Sequence, residues 1–354
     1  MKKIIITVIS VAAVIMIFAG LQSLLMPKYI TEAQEGNLVA EYYNSDKNHD
    51  VVFIGDCEVY ENIDPVVLWE EYGISSYVRG SPQQLIWMSY YLMEETLKYE
   101  KPDVFVFNVL SMKYGEPQSE AYNRLAHDGM RLSASKLKSV RASMTDGEDF
   151  VSYLFPLLRF HSRWSELDRN DFKYWFKTSP QISCAGYLMR VDTKGTDFFP
   201  PGKELDDYTF SDTCYEYLEK MTNLCRENDI ELVLMKAPSV SPYWYDQWEE
   251  QIVSYAEKNG LLYYNFLNMS EQTGIDYMTD TYDGGLHLNL SGAEKLSKLL
   301  GLLLKENTEL PDHRGDPEYE ASWREIIEFH DKVEVYQKRE LAEKGYISGF
   351  TFFE

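Results

Sequence analysis

The chain has 354 residues, 45% of them hydrophobic, and a formal net charge of −23. That length allows one large α/β domain or two modest ones, with ample apolar content for a core. The acidic balance, without any clustered run of Lys and Arg, argues against nucleic acid as a partner.

Residues 1–30 form a separate unit. Lys2 and Lys3 precede an uncharged, mostly apolar run from Ile4 to Met26, about 34 Å long as a helix and sufficient for a bilayer core. The run is longer than the apolar region of a secretory signal, and "FAG" makes a poor cleavage site. A single-pass anchor is therefore expected, its N-terminus cytoplasmic and the main domain extracytoplasmic by the positive-inside rule; secretion after signal cleavage is the alternative. A polar connector follows at 31–50.

From residue 51 short apolar runs alternate with longer amphipathic ones. "VVFIG" (51–55), "SSYVRG" (75–80) and "DVFVFNVL" (103–110) read as buried strands, with a helix over 83–100. After 210 the alternation resumes: a helix from "DTCYEYLEK", the strand "IELVLMKAP", the helix "YWYDQWEEQIVSYAEKN", the strand "LLYYNFLN", and a closing helix over 291–305 with Ser291 and Glu294 at capping-box spacing. This pattern predicts an α/β three-layer sandwich with a flavodoxin-like parallel sheet of about five strands. A mainly helical insertion at about 114–205 interrupts the domain that runs from 51 to 305, and is expected over the sheet's edge. The tail, 306–354, offers breakers and one charged helix, expected on the surface.

Cys57, Cys184, Cys214 and Cys225 make no dense disulfide framework. Cys214 and Cys225 sit about 16 Å apart on one helix and cannot bridge. Without CxxC or HExxH no metal site is expected, and without GxGxxG or Walker patterns no cofactor.

In open parallel sheets, sites form beyond the carboxyl ends of the strands. There the chain places "GDC" (Gly55, Asp56, Cys57) after the first strand, Gly80 after the second, Asn108 at the end of the third, and "DTYDGGLHLN" (280–289) before the last helix, with Asp280, Asp283 and His287. Gly284 and Gly285 allow that loop a sharp bend. These blocks, in this order, resemble the SGNH/GDSL hydrolase superfamily, and within it the membrane-anchored extracytoplasmic branch that includes the D-alanyl transfer protein of lipoteichoic acid synthesis and the alginate O-acetyltransferase proteins. The resemblance covers about 50–110 and 210–305. It implies a nucleophile at Cys57, where the family has serine, with His287 as base and Asp283 orienting it. It implies oxyanion donors at Gly80 and Asn108.

Three departures accompany it: cysteine replaces serine, Val109 rather than Asp follows Asn108, and the Asp–His spacing is one residue longer. Asp280 therefore remains a second candidate for orienting His287. Asp56 and Glu58, beside Cys57, are expected to raise the thiol pKa, and His287 to lower it. Two functions follow. One is an esterase or O-acyltransferase on acyl esters of a cell-envelope polysaccharide or teichoic acid, with a membrane acyltransferase as a natural partner. The other is a membrane-tethered binding or assembly protein that keeps the pocket without catalysis.

Overall fold

The computed structural model describes residues 1–27, 36–176 and 181–352. Helix α1 (Lys2–Leu25) meets the body along its last two turns and is otherwise exposed, at Ile5, Ile9, Val14 and Ile17 among others. A short helix α2 (Asn37–Glu41) is wholly buried, so the described part of the expected connector is built into the domain.

The body is organised on five parallel strands: β1 (Val51–Gly55), β2 (Ser76–Gly80), β3 (Val104–Asn108), β4 (Glu231–Lys236) and β5 (Leu262–Asn265), in the order β2-β1-β3-β4-β5. Successive strand residues point to opposite faces. Val51, Phe53, Val104, Val106, Val233 and Met235 therefore join one core, while Val52, Ile54, Phe105, Phe107, Leu232 and Leu234 join the other. The one-turn helix α3 (Cys57–Tyr60) follows β1, and α4 (Pro65–Tyr72) packs on the first face. Helix α5 (Ile86–Thr96) packs on the second. The expected three-layer arrangement is present.

Five short helices occupy the first part of the insertion: α6 (Glu120–His127), α7 (Ala134–Ser143), α8 (Phe150–Leu154), α9 (Leu157–Phe160) and α10 (Arg169–Lys173). From Gln181 to Phe210 the described chain has neither helix nor strand. This segment is a strap rather than the helical cap expected. It begins at the exposed edge of β2, where the Val78 amide donates to the Ala185 carbonyl at 2.9 Å. Gly186, at φ +90°, lies so close to β2 that a Cβ would stand 2.0 Å from the Val78 oxygen. An edge strand is thus covered. The strap continues past α3, with Leu188 N donating to Tyr60 O at 2.7 Å, to the 280–287 loop, with Lys194 N donating to Thr281 O at 2.9 Å.

Helices α11 (Asp212–Glu227) and α12 (Asp246–Asn259) complete the second layer, and a single turn, α13 (Ser270–Thr273), follows β5. The closing helix α14 (Leu290–Asn307) begins one residue earlier than expected. Asn289 caps it, accepting from Gly292 N at 3.2 Å, whereas Ser291 Oγ turns to Asp280 at 2.9 Å. No capping box forms there.

The tail helix α15 (Pro317–Lys344) has one face inside the fold. Trp323 stacks on Trp69 of α4, centroids 5.2 Å apart and 4° from parallel. His330 Nε2 meets Asp64 Oδ2 at 3.0 Å, and the Gln337 amide donates to Met189 O at 2.8 Å and accepts from Val191 N at 3.0 Å. Replacing Trp323 with alanine removes a fully buried indole and should cost about 3–5 kcal/mol, read as a shift in the urea midpoint. A loss under about 1 kcal/mol would mean that the tail contributes nothing to the body.

Candidate active site

At the end of β1 the chain must turn abruptly, because Gly55 is packed where a Cβ would lie 2.3 Å from Val59 Cγ2. Asp56 caps α3, its Oδ1 accepting from Glu58 N at 3.1 Å. Cys57 is thus the first residue of a one-turn helix at the carboxyl edge of the sheet, partly exposed, and its amide has no intrahelical partner.

The second half of the site comes from the loop after Asp280. Gly284 and Gly285 both adopt positive φ, +86° and +92°, as the expected bend requires. Asp283 Oδ1 accepts from the amides of Leu286 (3.2 Å) and His287 (2.9 Å). Its other oxygen sits 2.7 Å from His287 Nδ1. The extra residue between them is absorbed by this turn, so the longer spacing leaves the pair intact. Asp280 is elsewhere: it holds Lys295 Nζ at 2.6 Å and Ser291 Oγ at 2.9 Å, fixing the start of α14. Of the two aspartates, Asp283 is the one in contact with His287.

His287 Nε2 is buried with no hydrogen bond of ordinary geometry, and the ring interacts with the Cys57 thiol and with Glu61. Burial pushes the thiol pKa up, Asp56 and Glu61 add to the rise, and His287 opposes it. At His287 burial disfavours the charged ring, but Asp283, Cys57 and Glu61 outweigh it and hold the imidazole pKa well above its usual range. Asp56 itself rises to about 6, through burial and the neighbouring Glu58 charge. The surroundings thus raise the proton affinity of both Cys57 and His287.

Two groups beside this pair had not been anticipated. Glu61, almost fully buried, stands 3.7 Å from His287 Nδ1 and accepts from the Tyr282 hydroxyl. Tyr282 in turn lies nearly parallel to the His287 ring, centroids 6.0 Å apart. The sequence did carry a signal for Glu61, four residues after Cys57 in the same turn.

Glu58 is turned away from the thiol. It forms a buried ion pair with Lys236, Nζ lying 3.0 Å from each carboxylate oxygen. Asn108 joins this network: its Nδ2 donates to Glu58 at 3.0 Å and to Asp56 at 3.3 Å, while its Oδ1 accepts from Ala237 N at 3.2 Å. The Asn108 amide is thus committed to carboxylates and is not free as the oxyanion donor expected from sequence. Gly80 does lie beside the turn, in register with Gly55 and against the Tyr60 ring. No metal site was expected, and the one cluster with ligand-like spacing among the described residues, His330, Asp331 and Glu334, lies on α15.

No family model matches the sequence, and no curated protein does. Solved structures with a similar chain path include a protein from Desulfitobacterium hafniense DCB-2 assigned to the lipolytic G-D-S-L family. It is 13% identical, with a TM-score of 0.37 over 73% of this chain and all of that one. A protein from Bacteroides fragilis NCTC 9343 assigned as an acylhydrolase is 11% identical, with a TM-score of 0.37 over 75% of this chain and 94% of that one. A GDSL-like lipase from Bacteroides thetaiotaomicron VPI-5482 is 12% identical, with a TM-score of 0.36 over 77% and 98%. At that similarity none of their chemistry carries over to this chain.

Proposed function

We propose that the protein is an SGNH-type acyl-ester enzyme with a cysteine nucleophile, an esterase or O-acyltransferase. Its substrate would be an acylated cell-envelope polysaccharide or teichoic acid, met outside the membrane that α1 crosses. A membrane acyltransferase that delivers acyl groups is the natural partner. The observation that carries the proposal is His287, pinned through Nδ1 by Asp283 at 2.7 Å, with Nε2 free of any hydrogen bond of ordinary geometry and the ring interacting with the Cys57 thiol. That is the orientation in which an imidazole takes a proton from a nucleophile.

In the reaction, Cys57 Sγ attacks the ester carbonyl and its proton passes to His287 Nε2. The Cys57 and Gly80 amides receive the developing oxyanion. His287 returns the proton to the departing alkoxide, leaving a thioester. Water, or a hydroxyl of an acceptor polymer, then attacks the thioester, giving its proton to His287 as the thiolate departs. Asp283 holds the ring throughout.

The charge state sets the pH profile. The reactive form has lost one of the two protons that Cys57 and His287 hold, and both pKa values are raised. Acylation should therefore speed up with rising pH, about tenfold per unit between pH 7 and 9. Mixing the full chain with p-nitrophenyl acetate and following the acyl adduct on Cys57 by intact mass tests both claims at once. An adduct forming at a pH-independent rate would place the proton-accepting group elsewhere.

A second reading, a membrane-tethered binding or assembly protein, is favoured by the committed Asn108 amide and by the burial that raises the thiol. It predicts no adduct at any pH and unchanged cellular function after Cys57→Ala.

A further inference from the structure

The insertion helices nearest α1 present an apolar surface that no part of the described body covers. Phe155, Leu158, Trp164, Phe172 and Phe176 are exposed, Trp164 to 71% and Phe176 to 84%. All five come from one stretch, 150–176, that spans α8, α9, a 3-10 turn (His161–Ser165) and α10. An exposed group of this size on a water-soluble surface marks an interaction site.

This stretch is also the part of the body joined to α1. The Trp175 indole donates to Gly20 O at 2.7 Å. Ser23 Oγ donates to Trp175 O. Arg163 donates to Leu25 O at 2.6 Å, supplying one of the last-turn carbonyls that the helix itself leaves unpaired. The Arg163 charge is matched by buried Asp171 at 2.9 Å, so the guanidinium reaches the helix end already neutralised. Phe155 makes an edge-on contact with Phe18, centroids 5.6 Å apart. Phe18 lies seven residues before Leu25, about 10 Å down the helix axis. The insertion therefore extends alongside the apolar segment rather than stopping at its end.

We propose that residues 150–176 form an interfacial foot, seated in the head-group and upper acyl region of the same bilayer leaflet from which the body emerges. The proposal rests on α1 being a retained anchor. A penetration of about 5–10 Å is the ordinary depth of a helix lying in the interface, and Trp and Phe side chains are favoured at that level. Charge agrees. The stretch holds four basic residues (Arg159, Arg163, Arg169, Lys173) against three acidic ones (Glu166, Asp168, Asp171), within a chain of net charge −23. The acidic excess that would repel head groups is absent here. A foot of this kind fixes the tilt of the body on the membrane, which a lone helix followed by a connector does not.

Depth-resolved quenching tests it on the full chain in nanodiscs of phosphatidylcholine and phosphatidylglycerol. With Cys57→Ser removing the one thiol that is not buried, a fluorophore is placed through Leu158→Cys, Phe172→Cys, Val14→Cys or Val335→Cys. Labels at 158 and 172 should be quenched by lipids brominated near the glycerol and less by those brominated at the chain end. The label at 14 should show the reverse, and that at 335, on the exposed face of α15, neither. Quenching at 14 alone overturns the foot and leaves the anchor standing. An apolar emission at 158 and 172 without lipid quenching also overturns it, in favour of a protein occupant. Absence of quenching at every site removes the anchor and the foot together.

Discussion

Asp283→Asn is expected to lower acyl turnover on the order of 10³- to 10⁴-fold, by installing the wrong tautomer of His287. The reason lies in the turn around Asp283. One of its oxygens accepts from the amides of Leu286 and His287, and only the other faces His287 Nδ1. An asparagine in the same place must present its carbonyl oxygen to those two backbone donors. Its NH₂ then faces Nδ1, which becomes an acceptor, and the ring proton moves to Nε2. That nitrogen can no longer take the proton of Cys57. The same substitution removes a carboxylate that raises the His287 pKa, so the residual activity should level off at lower pH than in the parent. Asp280→Asn touches the contacts with Lys295, Ser291, Thr279 and the Asp276 amide, none of them made by Cys57 or His287, and should leave turnover per folded molecule within about twofold. Comparable losses in the two variants, measured as kcat/KM on one activated ester, would remove Asp283 from the site.

The sheet was legible because its strands are buried on both faces. "VVFIG" and "SSYVRG" end where β1 and β2 end, while "DVFVFNVL" and "IELVLMKAP" run two residues past the ends of β3 and β4, because an uninterrupted apolar run marks a buried strand without marking its last residue. That Cys57, Gly80 and the 280–287 loop would share one edge was legible for a related reason: turns that follow parallel strands gather at the carboxyl ends of the sheet. The partners of those residues were not. Asn108 and Lys236 stand at the ends of β3 and β4, and which carboxylate each meets depends on the order β2-β1-β3-β4-β5. Lys236 at the end of a buried run did signal a buried counter-charge, but not that Glu58 would supply it. The strap escaped altogether, because its ties to β2, α3 and the 280–287 loop are made by backbone groups that any sequence possesses.

Lys236→Met is expected to destabilise the fold by about 3–5 kcal/mol, the usual consequence of leaving one member of a buried ion pair alone. Both side chains are fully inaccessible. Without the ammonium, Glu58 retains a single neutral donor, Asn108 Nδ2, which it shares with Asp56. Two carboxylates then face each other directly beneath Cys57, where Lys236 had offset part of their repulsion. The pair itself is not the source of the loss. In Glu58→Gln with Lys236→Met, the charges leave together and the glutamine can still accept from Asn108, so most of the stability should return, to within about 1.5 kcal/mol of the parent. Urea unfolding of the two variants measures the difference. If the double variant is as unstable as the single, packing of the lysine stem rather than an uncompensated charge holds this corner. The network would then have been kept for shape, with the electrostatics around Cys57 set chiefly by Asp56, Glu61 and His287.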